Sequence, residues 1–236
     1  MPGEQRIAKF AQNIWLADGG AVNAIAGFHY PTRMAVMRLQ GGDLAVWSPI
    51  ELTAPLLAEV HALGDVAHIL APNTLHHLFV PEWVAAFPAA RLYGAPGLAA
   101  KRPDLRFDHI FGEQVDPALA HDLEQVVIDE HAITTEVVFF HRISGTVLFT
   151  DLIQHLPKGW FRGWRALVAR LDLMTGAEPA VPRKFRMGFK DKARAREAVG
   201  RILAWPAKAV VFAHGSPVTL DAPAFLRRAF AWLMKG

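Results

Sequence analysis

The sequence predicts a layered α/β sandwich with its site along one edge of the sheets. Three observations predict it. The chain has 236 residues, 52% of them hydrophobic and 20% charged, enough to bury a large core and too apolar for disorder. Strand-like runs fall into two groups, with helical stretches between and after them. The histidines and the aspartate best suited to chemistry lie beside strand ends: His76 and His77, His131, Asp151 and His214.

In chain order, residues 13–17 and 34–39 read as strands, separated by a glycine-rich loop and the Pro31–Thr32–Arg33 turn. Gln40–Gly41–Gly42–Asp43 is a hairpin-type turn into a buried strand over 44–48, stopped by Pro49. Thr53 is placed to cap a helix reaching about Leu63, with Leu56, Leu57, Val60 and Leu63 on one face. A strand over 66–71 follows and ends in Pro72–Asn73–Thr74–Leu75–His76–His77, before a short helix to about Phe87. Asn73 has two readings, orienting a ligand by hydrogen bonding or stabilising the turn.

Residues 91–94 read as a short strand, 97–101 as a helical turn and 123–129 as a further strand. The central stretch is EHAITTEVVFFHRISGTVLFTD, Glu130 to Asp151. Gly145 breaks its β-branched and aromatic run into two strands, 136–142 and 146–150, joined by a tight turn. His131 precedes the first strand and Asp151 closes the second. Taken alone, that stretch is equally a core hairpin with a solvated histidine and a helix-capping aspartate.

Helical spacing covers 160–171, with Trp160, Trp164, Leu167 and Leu171 on a stripe of the kind that packs into a core. A Pro- and Gly-bearing loop over 175–183 leads to a basic amphipathic helix over 191–205. The last strand, 208–213, ends in His214–Gly215, and a final helix runs from about Ala222 to Met234. With no repeat or linker, residues 1–236 read as one domain.

Composition excludes several classes of function. There is no cysteine, so disulfides and thiolate metal sites are ruled out, and a transition metal would need His with Asp or Glu. The opening MPGEQRIAKFAQ has no signal-type apolar core, and no apolar run is long enough to span a bilayer, which predicts a soluble, cytoplasmic protein. The net charge of +3 is small and argues against a nucleic-acid partner. Between Lys158 and Arg201, however, twelve Lys or Arg face four acids. That mostly helical segment, about 158–205, is either a solvated face or a surface for an anionic ligand.

In their order, the motifs resemble the metallo-β-lactamase-fold superfamily. The narrower resemblance is to a bacterial branch of unassigned function marked by a PTRM turn (Pro31–Met34), a strand ending in Ser48–Pro49, the Asn73–His77 segment and Thr150–Asp151. The resemblance implies a four-layer αββα sandwich of two mixed sheets. It also implies a departure from the superfamily's His-x-His-x-Asp-His signature. With the last histidine on His77, Pro72 and Thr74 fall on the first two histidines and His76 on the aspartate. His131, Asp151 and His214–Gly215 match the later ligand positions, and Ser48 replaces an early aspartate.

The first metal site would then keep His131 and Asp151 only. The second would keep His77, Asp151 and His214, with His76 beside them. The implied function is a hydrolase of an ester-, thioester- or phosphoester-like small molecule with an anionic part. It would hold one zinc or iron ion on His77, Asp151 and His214, with His76 or His131 assisting and Asp151 and His131 in catalytic roles. The alternative is a non-catalytic binding or scaffolding descendant that has lost its metal. His29, Arg33, His141 and His155 receive no role, and the oligomeric state is not specified.

Overall fold

A computed structural model describes residues 6–235. Among these, strands β1 to β7 form one sheet in sequence order: Ala8–Ala11, Ile14–Asn23, His29–Arg38, Leu44–Trp47, Val66–Ala71, Arg91–Gly94 and His109–Ile110. The second sheet has the order β11-β10-β9-β8, from Leu123–Ile128 (β8), Glu136–His141 (β9), Thr146–Gln154 (β10) and Ala209–His214 (β11). Both sheets are mixed. Pairing is antiparallel from β1 to β4 and parallel from β4 to β7, and in the second sheet only β10 and β11 run parallel.

Period-two alternation explains the layers. Ala35, Met37, Ala45 and Trp47 of the first sheet meet Val137, Phe139 and Leu148 of the second in the inter-sheet core. Their neighbours Met34, Val36 and Val46 point outward onto α1 (Ala54–Leu63) and α2 (Val80–Ala86), through Leu56, Val60 and Trp83. Val138, Phe140, Val147 and Phe149 point to the opposite outer face, under α6 (Lys192–Leu203) and α7 (Ala222–Met234). Helix–sheet–sheet–helix is the expected fold.

Local chemistry sets the boundaries. Thr53 Oγ1 accepts from Leu56 N at 3.4 Å at the α1 N-terminus, and Asp191 Oδ1 accepts from Ala193 N at 2.8 Å at that of α6. The expected glycine-rich loop after residue 17 is instead a continuation of β2 and β3, with Gly19 opposite Thr32 and Val22 opposite Tyr30. β1 and the two-residue β7 are additional to the expected strands. The helix expected from 160 begins at Trp164 and ends at Leu171 (α4), and a short helix, Arg183–Gly188 (α5), follows the expected loop in a stretch where no element was expected.

Candidate metal centre

Three side chains from separate parts of the chain converge where the two sheets meet. His76 follows β5, Asp151 lies in β10 and His214 closes β11. His76 Nε2 is 3.4 Å from Asp151 Oδ2, and His214 Nε2 is 3.2 Å from Asp151 Oδ1. One donor atom from each of the three lies within 4.8 Å of the others, a grouping that could hold a metal ion.

The backbone around Asp151 explains its placement. The register between β10 and β11 breaks between Phe149 and Gln154, so the N–H groups in that stretch leave the ladder. Glu136, fully buried at the start of β9, takes them up. Its Oε1 accepts from Thr150 N at 2.7 Å, and its Oε2 accepts from Asp151 N at 2.9 Å and Leu152 N at 3.0 Å. Burial and the Asp151 charge push the Glu136 carboxyl up to about 7, against the pull of those three donors. A lone carboxylate at the head of an apolar strand was the available signal for this residue, because a buried acid needs partners. By pattern alone Glu136 reads as the first residue of the strand.

Asn73 completes the cradle. Its Nδ2 donates to Asp151 Oδ2 at 2.9 Å and Thr150 Oγ1 at 2.8 Å, while its Oδ1 accepts from Thr134 Oγ1 at 2.5 Å and Leu75 N at 2.7 Å. It both orients an acidic side chain and stabilises the turn, the two readings left open above. Burial would raise the Asp151 carboxyl, but His76 and His214 outweigh it and hold the group well below the usual carboxylate range.

Each histidine of the group is fixed through its second nitrogen. His214 Nδ1 lies 2.7 Å from the Pro31 carbonyl oxygen, which can only accept, so Nδ1 carries the proton. The Nε2 lone pair then faces Asp151 Oδ1, and two acceptors at that distance require a positive charge between them, a proton or a metal ion. His76 Nδ1 lies 2.9 Å from Ser48 Oγ. Ser48 adopts φ 51°, left-handed for a non-glycine residue, at the position where the superfamily's early aspartate was expected. Arg33, which had no assigned role, donates to Phe212 O at 3.2 Å and to Gly215 O, tying β3 to the His214 loop. Gly215, at φ 145°, is a required glycine, since a Cβ would collide with the His155 carbonyl.

The other two candidate ligands lie elsewhere. His77 Nδ1 is 3.0 Å from Arg102 Nη1, an obligate donor, and burial with the charges of Lys101 and Arg102 lowers the ring to about 4. His76 therefore stands where the sequence reading preferred His77. The reason is tertiary: Lys101 of α3 (Leu98–Lys101) and Arg102 at its cap hold the turn by its Thr74 and His77 carbonyls, at 2.7 and 2.9 Å. His131 is not among the converging donors. Its Nε2 donates to Phe185 O at 2.8 Å, and its Nδ1 accepts from Ile133 N at 3.2 Å and Thr134 N at 3.3 Å. Burial lowers its pKa, and Gly188 leaves room for the ring where a Cβ could not. Both nitrogens are committed to the backbone.

Tyr30, overlooked in the sequence, forms one wall, its ring 5.3 Å from that of His214. Lys184 of the basic segment reaches it, Nζ to Oη at 3.1 Å. A cleft of about 300 Å³ lined by Arg33, His155, Trp160 and Gly215 runs beside the His214 loop.

A family model described as "Domain of unknown function (DUF4336)" matches residues 11–166, which include His76 and Asp151 and stop short of His214. No curated protein matches the chain. Among solved structures, a metallo-β-lactamase from Pontibacter korlensis is 15% identical, with 99% of this chain and 100% of that one covered and a TM-score of 0.64. The metallo-β-lactamase FIM-1 from Pseudomonas aeruginosa in its mono-zinc form is 12% identical, with 98% and 93% covered and a TM-score of 0.62. One from Hirschia baltica is 9% identical, with 98% and 97% covered and a TM-score of 0.63. At these identities the likeness is one of fold.

Proposed function

The chain belongs to the DUF4336 family, and we propose that it is a metal-dependent hydrolase holding one zinc or iron ion on His76, Asp151 and His214. The observation carrying this reading is the His214–Asp151 pair, in which the Pro31 carbonyl holds Nδ1 and Nε2 faces a carboxylate oxygen at 3.2 Å. Imidazole and carboxylate are the donors a cysteine-free chain can offer such an ion, and two histidines with one carboxylate are a sufficient catalytic set. The Pro31 carbonyl orients His214 as a metal-bound histidine is usually oriented, through its remote N–H. A similar fold has been crystallised with a single zinc, in FIM-1.

When bound, the ion would supply Lewis acidity, activating water and polarising the bond under attack. Asp151 would share its two oxygens between the donor group and the Asn73 amide, which prevents the carboxylate from rotating. Tyr30 beside His214, with its hydroxyl held by Lys184, would form the wall against which the anionic part of an ester-, thioester- or phosphoester-like substrate is placed.

Elemental analysis of untagged protein tests the reading. About one zinc or iron per chain, lost in Asp151→Ala, is the expected result. No metal in wild type, even after incubation with zinc, iron or manganese, overturns it. A second reading, a non-catalytic binding or scaffolding descendant, is favoured by the complete use of His131 in backbone hydrogen bonds. Under it, a proton on His214 satisfies Asp151.

A further inference from the structure

We propose that α4 and the adjoining β2–β3 tip form a docking surface for an anionic lipid bilayer. The helix is mounted with its apolar stripe outward. Trp164, Leu167, Val168 and Leu171 occupy one face and are 55, 60, 41 and 55% exposed. The side that packs inward is made of small residues: Ala169 is fully buried and Ala166 packs with it against Leu156, Phe161 and Met174. The reverse orientation would have buried the large side chains, so the stripe is a surface and not part of the core.

The stripe is extended by a second element. Arg165 Nε donates to Ala26 O at 2.7 Å and the Phe28 ring lies 5.8 Å from that of Trp164, joining the β2–β3 tip to the helix. Beside Ala26, Ile25 is 89% exposed. Contiguous exposed apolar side chains on a folded domain mark an interaction site.

Charge selects the occupant. The segment that carries the stripe also carries Lys158, Arg162, Arg165 and Arg170, with Arg165 4.8 Å over the Trp164 ring, and residues 158–171 contain no Asp or Glu. A second copy docking through the same face would bring two basic rims together. An anionic bilayer takes both features at once, the Trp and Leu side chains in the interfacial layer and the cations against lipid phosphates. No helix among the described residues is long and apolar enough to cross a membrane, so attachment would be peripheral.

The test is flotation of the full chain with phosphatidylcholine vesicles and with vesicles of equal parts phosphatidylcholine and phosphatidylserine. Light scattering of the protein alone is measured in parallel. Binding to the anionic vesicles is expected, weakening between about 0.1 M and about 1 M NaCl. Leu167→Ser with Leu171→Ser, exposed positions whose change should leave the melting curve intact, should reduce binding at least about tenfold. Arg162→Glu with Arg170→Glu should abolish preference for the anionic vesicles. Absence of binding, equal binding to both vesicle types, or binding unaffected by the paired serine substitutions overturns the proposal. So does a concentration-dependent dimer that those substitutions dissolve without any vesicle binding, which would assign the face to a second copy.

Discussion

Asn73 Nδ2 holds Asp151 Oδ2 at 2.9 Å while Asn73 Oδ1 receives the Thr134 hydroxyl at 2.5 Å, so one amide locks the acidic donor to the segment carrying His131. Asn73→Ala is expected to weaken metal binding about 10–100-fold, as loss of a ligand's supporting hydrogen bond does elsewhere. Stoichiometry at saturating metal should not change. Competition against a chromophoric chelator measures both. An unchanged affinity would mean that Asp151 holds its orientation without the amide.

Glu136 supports backbone where Asn73 supports a side chain. Glu136→Ala leaves the buried N–H groups of Thr150, Asp151 and Leu152 without an acceptor and should cost about 3 kcal/mol or more. Glu136→Gln should recover only part of that loss, because it turns an amide donor toward N–H groups. Urea unfolding followed by tryptophan fluorescence gives the comparison. A shift of only a few tenths of a kcal/mol would show that water replaces the carboxylate.

His131 separates structural from ligand roles. His131→Ala is expected to destabilise the fold by about 1–3 kcal/mol, since it orphans the Phe185 carbonyl and two N–H groups. Metal content per folded chain should stay the same. Loss of metal at full stability would return His131 to the ligand set.

His141 sets a pH dependence. It is fully buried, its Nδ1 lies 2.7 Å from Ser144 Oγ, and burial lowers its pKa from 6.5 to about 4. Between those values the unfolded chain binds more protons than the folded one, so stability rises with pH. Acidification from 6.5 toward 4 should therefore remove stability, with a slope from this group approaching about 1.4 kcal/mol per pH unit. His141→Gln should remove that component, so its stability deficit relative to wild type should shrink as pH falls. Parallel curves across the range would contradict the depressed pKa.

The layered fold was legible because β-branched alternation and helix caps are local signals. α7 lies where its spacing placed it, and the β9–β10 hairpin follows from the apolar run broken at Gly145. The strands lost to the expected glycine loop were illegible because Gly19 and Gly20 carry no side-chain pattern, and only the pairing of Gly19 with Thr32 and of Ala21 with Pro31, across a register shift at Gly20, makes the stretch strand. At the site, residue type was legible and neighbourhood was not. Nothing in a His76–His77 pair tells which ring faces inward; that depends on Arg102 and Ser48, both distant in the chain. The stripe of α4 misled for a related reason, since periodicity shows that a face is apolar but not what lies against it.

The three converging side chains impose an order on how this protein matures. His76 follows β5, whereas His214 closes β11, the last in chain order of the strands among the described residues. A nascent chain therefore carries two of the donors long before the third, and no fragment ending before β11 assembles the trio. The complete trio exists only where the two sheets are docked, so the scaffold built from both sheets is what would present all three donors to an ion.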